Sequence, residues 1–227
     1  MVGPKISIVS CLYKRPGLTR AWIGHTKTFG AIHVAVSEEE DRQLCLEHGI
    51  EHVVVPNRPL GNKHNEALRL ARRSDADLYL LLPSDDFVNP EYLRRGIAAG
   101  ADYVFPGSCG IVENGYGRAC VLRKKGDSLT YGAGRIVSRA VVERVGDLWF
   151  PFRERGLDQN SHCTIRAHGF AETVVDVDEG VCLTDIKTEQ NLWKYATVAQ
   201  NGEPATVREV LAHVAVALEG YEADRRS

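Results

Sequence analysis

The chain has 227 residues, a formal net charge of −2, 44% hydrophobic and 26% charged residues. This is the make-up of an ordinary globular protein large enough to bury a substantial core, and it excludes a generally polycationic nucleic-acid binder. No apolar run approaches the length that crosses a bilayer, and Met1 to Ser10 lacks the pattern of a secretory leader, so a cytoplasmic location is the expectation.

Lys5 to Leu12 alternates and then turns apolar, which predicts a first strand, broken by Tyr13-Lys-Arg-Pro-Gly17 before a helix from Leu18 to Thr28. Ala31 to Ser37 predicts a second strand, and Glu38 to His48 a helix stopped by Gly49. Ile50 to Pro56 predicts a third, β-branched strand. Asn57 to Asn65 then forms a loop opening a helix with Ala67, Leu68 and Ala71 on its apolar stripe. Leu78 to Leu82 is a buried parallel strand delivering Asp85 and Asp86 to a sheet edge. Three strand-then-helix units followed by a fourth strand require a parallel sheet with right-handed crossovers, an architecture that binds ligands at the carboxyl ends of its strands. A fifth strand is expected at Asp102 to Phe105. Beyond it the Gly-rich text predicts loops and a few antiparallel strands, a helix from Ile136 to Val145, another from Gln159 to Ala167, and an amphipathic closing helix from Pro204 to Tyr221.

Two adjacent carboxylates repel each other unless they face water or share a divalent cation, and a cation held there implies chemistry on phosphates. The competing explanation is that Asp85 caps the helix announced by Asn89-Pro90-Glu91-Tyr92. Arg15 and Lys63 lie at strand ends or adjacent loops, where each could neutralise phosphate or simply meet solvent. Asp185 and Lys187, two residues apart, share one face of a strand as either a surface ion pair or part of the same site. Trp149 and Trp193 could stack on a sugar or base, or fill the core. Six cysteines without a C-x-x-C pair argue against a zinc ribbon or redox motif. His162-Cys163 with Cys182 leaves a partial zinc site conceivable, although buried thiols are commoner. Between Arg118 and Arg155, nine Lys or Arg face four acids, so this stretch is either a face for an anionic partner or a solvated surface.

The order of these elements resembles the family-2-like glycosyltransferases of GT-A fold over roughly residues 5 to 165. Ile6-Ser-Ile-Val-Ser-Cys-Leu-Tyr-Lys-Arg-Pro16 is similar to their opening strand and nucleotide loop, which implies donor contacts from Ser10, Leu12, Tyr13 and Arg15. Asn57 to Leu68 resembles their Asn-x-Gly loop-to-helix segment, implying Asn62, Lys63 and Asn65 in the same role; Asn65, a polar residue inside the helix, is either a brace for the first loop or a surface residue. Ser84-Asp85-Asp86 resembles their metal motif in a Ser-Asp-Asp form. It implies Asp86 as direct ligand of Mn²⁺ or Mg²⁺, and Ser84 and Asp85 as donor-side residues. Glu38 stands where relatives place an acid for the nucleobase. Asp185 and Lys187 stand in for a late histidine, Asp185 toward the metal and Lys187 toward the donor. Asp158, after Gly156, matches the position of the general base, its alternative being a helix cap.

The resemblance implies one GT-A domain over residues 1 to 227: a nucleotide-sugar half at 5–106, an acceptor half at 107–200 and the closing helix at 204–221. It implies a metal-dependent, inverting transfer from a nucleotide sugar, a UDP-sugar above others, to an acceptor hydroxyl. The Tyr-Lys-Arg-Pro loop, Ser-Asp-Asp and Asp-Ile-Lys resemble compact bacteriophage-encoded glycosyltransferases, which makes a hydroxymethylated DNA base one expected acceptor, in a host cytoplasm. The rival functions are a sugar-phosphate nucleotidyltransferase, a catalytically silent nucleotide-binding module and a purely structural α/β domain.

Overall fold

The computed structural model describes residues 3–115, 117–124, 131–188, 191 and 194–214. Four strands, β1 (Ile6–Cys11), β2 (Ala31–Val36), β3 (Glu51–Val54) and β4 (Leu78–Leu81), pair in parallel in the order β3-β2-β1-β4. The connecting helices are α1 (Pro16–Thr26), α2 (Glu39–His48) and α3 (Leu60–Ala71). Pro16 supplies a preset φ at the start of α1, and Gly49 ends α2 in the left-handed region at φ 65°. Period-two alternation splits the strand side chains between two cores. Ile8, Val34, Val36 and Leu80 face one, and Val9, Ala35, Tyr79 and Leu81 face the other.

The run expected to reach Asp85–Asp86 as one strand stops at Leu81. The chain turns at Leu82 to Asp85, and Asp86 opens a separate strand, β5 (Asp86–Val88). Pro83, which lacks a ladder donor, lies in that turn. Helix α4 (Pro90–Ala98) follows and is capped by Asn89, whose side chain accepts from the Glu91 amide at 2.9 Å; Asp85 is therefore not the cap. Strand β6 (Tyr103–Pro106) bears out the fifth strand. It is followed by β7 (Ser108–Glu113), β8 (Arg118–Arg123) and β9 (Arg135–Ser138).

Ile136 and Val137, expected in a helix, lie instead in β9, the antiparallel strand between β4 and β6; helix α5 (Arg139–Val145) begins only after Ser138. Two β-branched residues with an open slot between strands pair there, and tertiary contact overrides the helical period. Helix α6 (Leu157–Ala167) begins two residues before its expected start, and Gly156 occupies its N-cap. Strand β10 (Glu172–Val175) closes the seven-stranded sheet beside β6. A second sheet has the order β12-β8-β7-β11-β5, with β11 at Leu183–Lys187 and β12 at Glu203–Ala205.

Helix α7 (Tyr195–Val198) precedes β12, and α8 (Val207–Val210) follows it. The closing helix was expected from Pro204, but Pro204 and Ala205 pair with β8, and a Thr206–Glu209 capping box starts the helix after them. Residues 215–221 of that expectation, together with Trp193, lie outside the described residues. Among the described residues no helix is long and apolar enough to cross a membrane.

Candidate functional site

Strand β5 pairs antiparallel with β11, which sets Asp86 directly opposite Asp185. Opposed residues of a strand pair share a face, so residues about a hundred positions apart in sequence bring two carboxylates together. Asp86 is 4% exposed, and its Oδ1, like Oδ1 of Asp185, is buried without a hydrogen-bond partner. Arg15, at the N-cap of α1, places Nη1 2.6 Å from Oδ2 of Asp85 and donates from Nη2 to Ser84 Oγ at 3.2 Å. The Ser84 hydroxyl donates onward to the Cys11 carbonyl at 3.1 Å, locking the turn before β5 to the end of β1. Asn191 donates to the same oxygen of Asp85, and Lys187 Nζ lies 2.5 Å from Asp185.

The electrostatics follow from this packing. Burial works against ionising Asp85, but Arg15, Lys187 and Asn191 outweigh it and hold the carboxyl below its usual range. Burial, then Asp185 and Asp85, push Asp86 well above that range. Asp185 is also raised, by burial first and by Asp85, against the pull of Lys187. The cluster thus holds three carboxylates against two cations, and Asp86 is the acid in excess.

These donors fit a divalent cation. Mg²⁺ and Mn²⁺ take oxygen ligands, and Mg²⁺ is commonly held by one or two carboxylates with the remaining positions filled by water and phosphate. The two orphaned oxygens of Asp86 and Asp185 are of that kind. Among the described residues no group of three or more His, Cys, Asp or Glu could hold a metal, which removes the His162-Cys163-Cys182 zinc set.

The remaining predicted residues divide into groups. Ser10 is buried at the end of β1, with its hydroxyl unpartnered. Leu12 is in the core and its carbonyl accepts from Lys63 Nζ at 2.7 Å. Lys63 is fully buried rather than offered to phosphate. Its ammonium also donates to Asn57 at 3.0 Å and lies 5.5 Å from the Tyr13 ring centre, and burial lowers its pKa. Asn65 does not brace the first loop either; its amide donates to the Trp149 carbonyl at 2.6 Å and accepts from the Trp149 amide at 3.1 Å. Asn62 is half-buried in the first turn of α3. Glu38 stands at the N-cap of α2, 3.7 Å from Lys14 Nζ.

Asp158 lies elsewhere. It is exposed in the first turn of α6 rather than at its cap, and lines a cavity of about 160 Å³ with His64, Leu82, Gly132, Trp149 and Arg155. Neither Asp85 nor Asp86 lines that cavity, although Leu82 and Pro83, in the turn that ends at Asp85, do. The volume is below the roughly 300–1,000 Å³ of small-molecule sites, room for part of a ligand only. His64 packs on Trp149 with ring centres 5.0 Å apart, and burial pushes its pKa down to about 4, so the ring is neutral.

Three contributors escaped the sequence. Asp41 is fully buried and accepts from the amide of Lys14, which sits at φ 50°, yet in sequence it ends an acidic run that reads as solvated surface. Asn191 and Arg135 were missed because Asp85, which Asn191 meets, and Asp158 and Ser161, which Arg135 meets, come from distant segments. Part of the basic stretch is paired in place: Arg118 with Glu113 and Arg139 with Glu143, while Arg123 lies near Asp176 and Glu203 and Arg135 is buried.

No family model and no curated protein matches this chain. Solved structures do. TarS of S. aureus superposes with a TM-score of 0.56 at 16% identity over 81% of this chain, which spans 37% of that one. The inositol-1-phosphate CTP transferase from T. maritima gives 0.53 at 13% identity, over 87% of this chain and 95% of that one. TarS residues 1–349 in complex with UDP gives 0.52 at 14% identity, over 94% and 65%. At such identities the likeness establishes the fold, a mixed α/β architecture of GT-A type with a mostly parallel sheet flanked by helices.

Proposed function

We propose that the chain is a metal-dependent transferase that moves a sugar from a nucleotide-sugar donor to an acceptor hydroxyl. The observation that carries this reading is the facing pair Asp86 and Asp185, each with an orphaned buried oxygen, beside Arg15 and Lys187 at the end of β4. Ligands of open α/β sheets collect at such strand ends, and a solved neighbour of this fold holds UDP. A divalent cation there would be held by Asp86 and Asp185 and would stabilise the charge gathering on a diphosphate leaving group. Arg15 and Lys187 add fixed positive charge on the same side. On this reading the donor's sugar reaches from the cation past Leu82 and Pro83 into the cavity that Asp158 lines, where Asp158 would take the acceptor's hydroxyl proton while that oxygen bonds to the anomeric carbon and the diphosphate departs with the bonding electrons. Direct displacement of this kind inverts the anomeric centre.

Thermal shift with UDP and UDP-sugars, with and without MnCl₂, tests the reading, because a ligand held by the folded state raises stability by mass action. A metal-dependent shift with UDP, lost in Asp86→Ala, supports it; no shift with any nucleoside diphosphate overturns it. Acceptor assays then compare free sugars with hydroxymethylated DNA, the acceptor suggested by the resemblance to phage enzymes. The full-length overlap with the CTP transferase favours one second reading, a nucleotidyltransferase. Pyrophosphate release from CTP and a sugar phosphate, with UDP-sugars inert, would select it.

A further inference from the structure

The Asp158 carboxylate packs directly against the backbone of Gly132. Gly132 carries no side chain, and a Cβ built there would fall 1.9 Å from Oδ1 of Asp158, so the carboxylate lies directly against the glycine. The Gly132 backbone is not in the left-handed region, so an alanine there is conformationally allowed, and the three nearest atoms its methyl would meet all belong to the Asp158 carboxylate. On the opposite side the Asp158 carbonyl accepts from Arg135 Nη1 at 3.0 Å and from the Ser161 hydroxyl at 3.1 Å.

The same guanidinium donates from Nε to the Tyr131 carbonyl at 2.8 Å and from Nη1 to Ser161. It is 1% exposed and flanked by the rings of Tyr103 and Phe105 at 5.8 and 5.9 Å. Burying a cation costs several kcal/mol, and a well-packed apolar residue is often as stable in such a place, so stability alone is a poor reason for it. A planar fork that joins two backbone segments at once is something neither an apolar chain nor lysine provides. The segments joined are the loop carrying Gly132 and the first turn carrying Asp158.

We infer that Arg135 and Gly132 are positioning residues. Arg135 fixes the backbone of Asp158 relative to the Tyr131–Gly132 loop, and Gly132 leaves the space that aims its carboxylate into the cavity. The inference rests on Asp158 acting as the base.

The test is steady-state UDP release from UDP-glucose with MnCl₂, water serving as acceptor, alongside the UDP thermal shift of each variant. Gly132→Ala and Arg135→Lys should each lower kcat about 10- to 100-fold, the scale of a misplacement near 1 Å, with the donor KM and the UDP shift unchanged. Gly24→Ala, on α1 with no atom within 4 Å of the added methyl, should match wild type. Wild-type kcat in Gly132→Ala, or a UDP shift that falls in step with kcat, would overturn the inference; if Arg135→Lys does not fold, Gly132→Ala decides alone. Asp158→Asn separates the two levels: full activity in that variant sinks the base assignment, whereas its loss with Gly132→Ala intact sinks only the positioning claim.

Discussion

Replacing Asp86 with asparagine probes the charge balance of the buried cluster. Asp85, Asp86 and Asp185 face Arg15 and Lys187, and burial together with the two other carboxylates holds the Asp86 carboxyl well above its ordinary range. A folded-state pKa raised in this way means that the native chain keeps a proton the unfolded chain releases. The Asp86 contribution to wild-type stability therefore falls as pH rises from the ordinary value of 3.8 until the folded carboxyl ionises, and is level beyond that. Asparagine has nearly the same shape and no charge, so Asp86→Asn removes this slope and leaves two acids facing two bases. An unpaired buried ion costs several kcal/mol, partly offset here by the amide's own need for partners, so a gain of about 2 kcal/mol is expected above neutral pH in chelator. For a domain of this size that is a rise in Tm of about 4–8 °C. Saturating MnCl₂ should reverse the order, because wild type gains about 2.7 kcal/mol at a hundredfold excess over Kd and the variant gains none. Differential scanning fluorimetry across pH, in EDTA and in MnCl₂, measures both effects. A variant less stable than wild type in EDTA, or one with an undiminished Mn²⁺ shift, would falsify the charge argument.

Asn65→Ala removes the partners of both backbone groups of buried Trp149 and should cost about 1–3 kcal/mol in urea unfolding while leaving UDP affinity unchanged; weakened UDP binding without destabilisation would return Asn65 to the donor site. Lys63→Met strands the Leu12 carbonyl and should destabilise by a similar amount, about 1–3 kcal/mol, read from the same denaturation midpoints; no change would mean that Lys63 is not a strut. His213, whose Nε2 donates to the Phe87 carbonyl at 3.1 Å, is pushed down by burial to about 4 from 6.5. The native state thus binds fewer protons than the unfolded chain in that window, and the stability present above pH 6.5 is lost as pH falls toward 4. His213→Gln keeps a donor and should flatten that loss by up to about 3 kcal/mol, with His64, His25 and His33, also lowered by burial, supplying the residual slope; an unaltered acid limb in urea titrations would refute it.

The residues of the site were unequally legible. Ser84-Asp85-Asp86 was visible because an apolar run ending in two carboxylates is a local pattern, and Arg15 because it lies in the Tyr-Lys-Arg-Pro-Gly break that follows the first strand. Lys63 and Asn65 were recognised as significant residues, but their roles changed: only the packing of α3 against β1 and the Trp149 loop turned both side chains inward. Asp158 was found by position, while its supports at Gly132 and Arg135 were not, since a glycine's value there lies in what its missing side chain would strike.

Sequence alone determined the strand–helix alternation of residues 5–106, the helix-ending role of Gly49 and the carboxylates after β4, because period, turn residues and capping act over a few neighbours. Tertiary structure decided that Ile136 and Val137 become a strand, that Asp86 opens a second sheet opposite Asp185, and that the excess negative charge falls on Asp86. Strand pairing, burial and the fields of distant charges are properties of residues brought together by folding, and no window along the chain contains them.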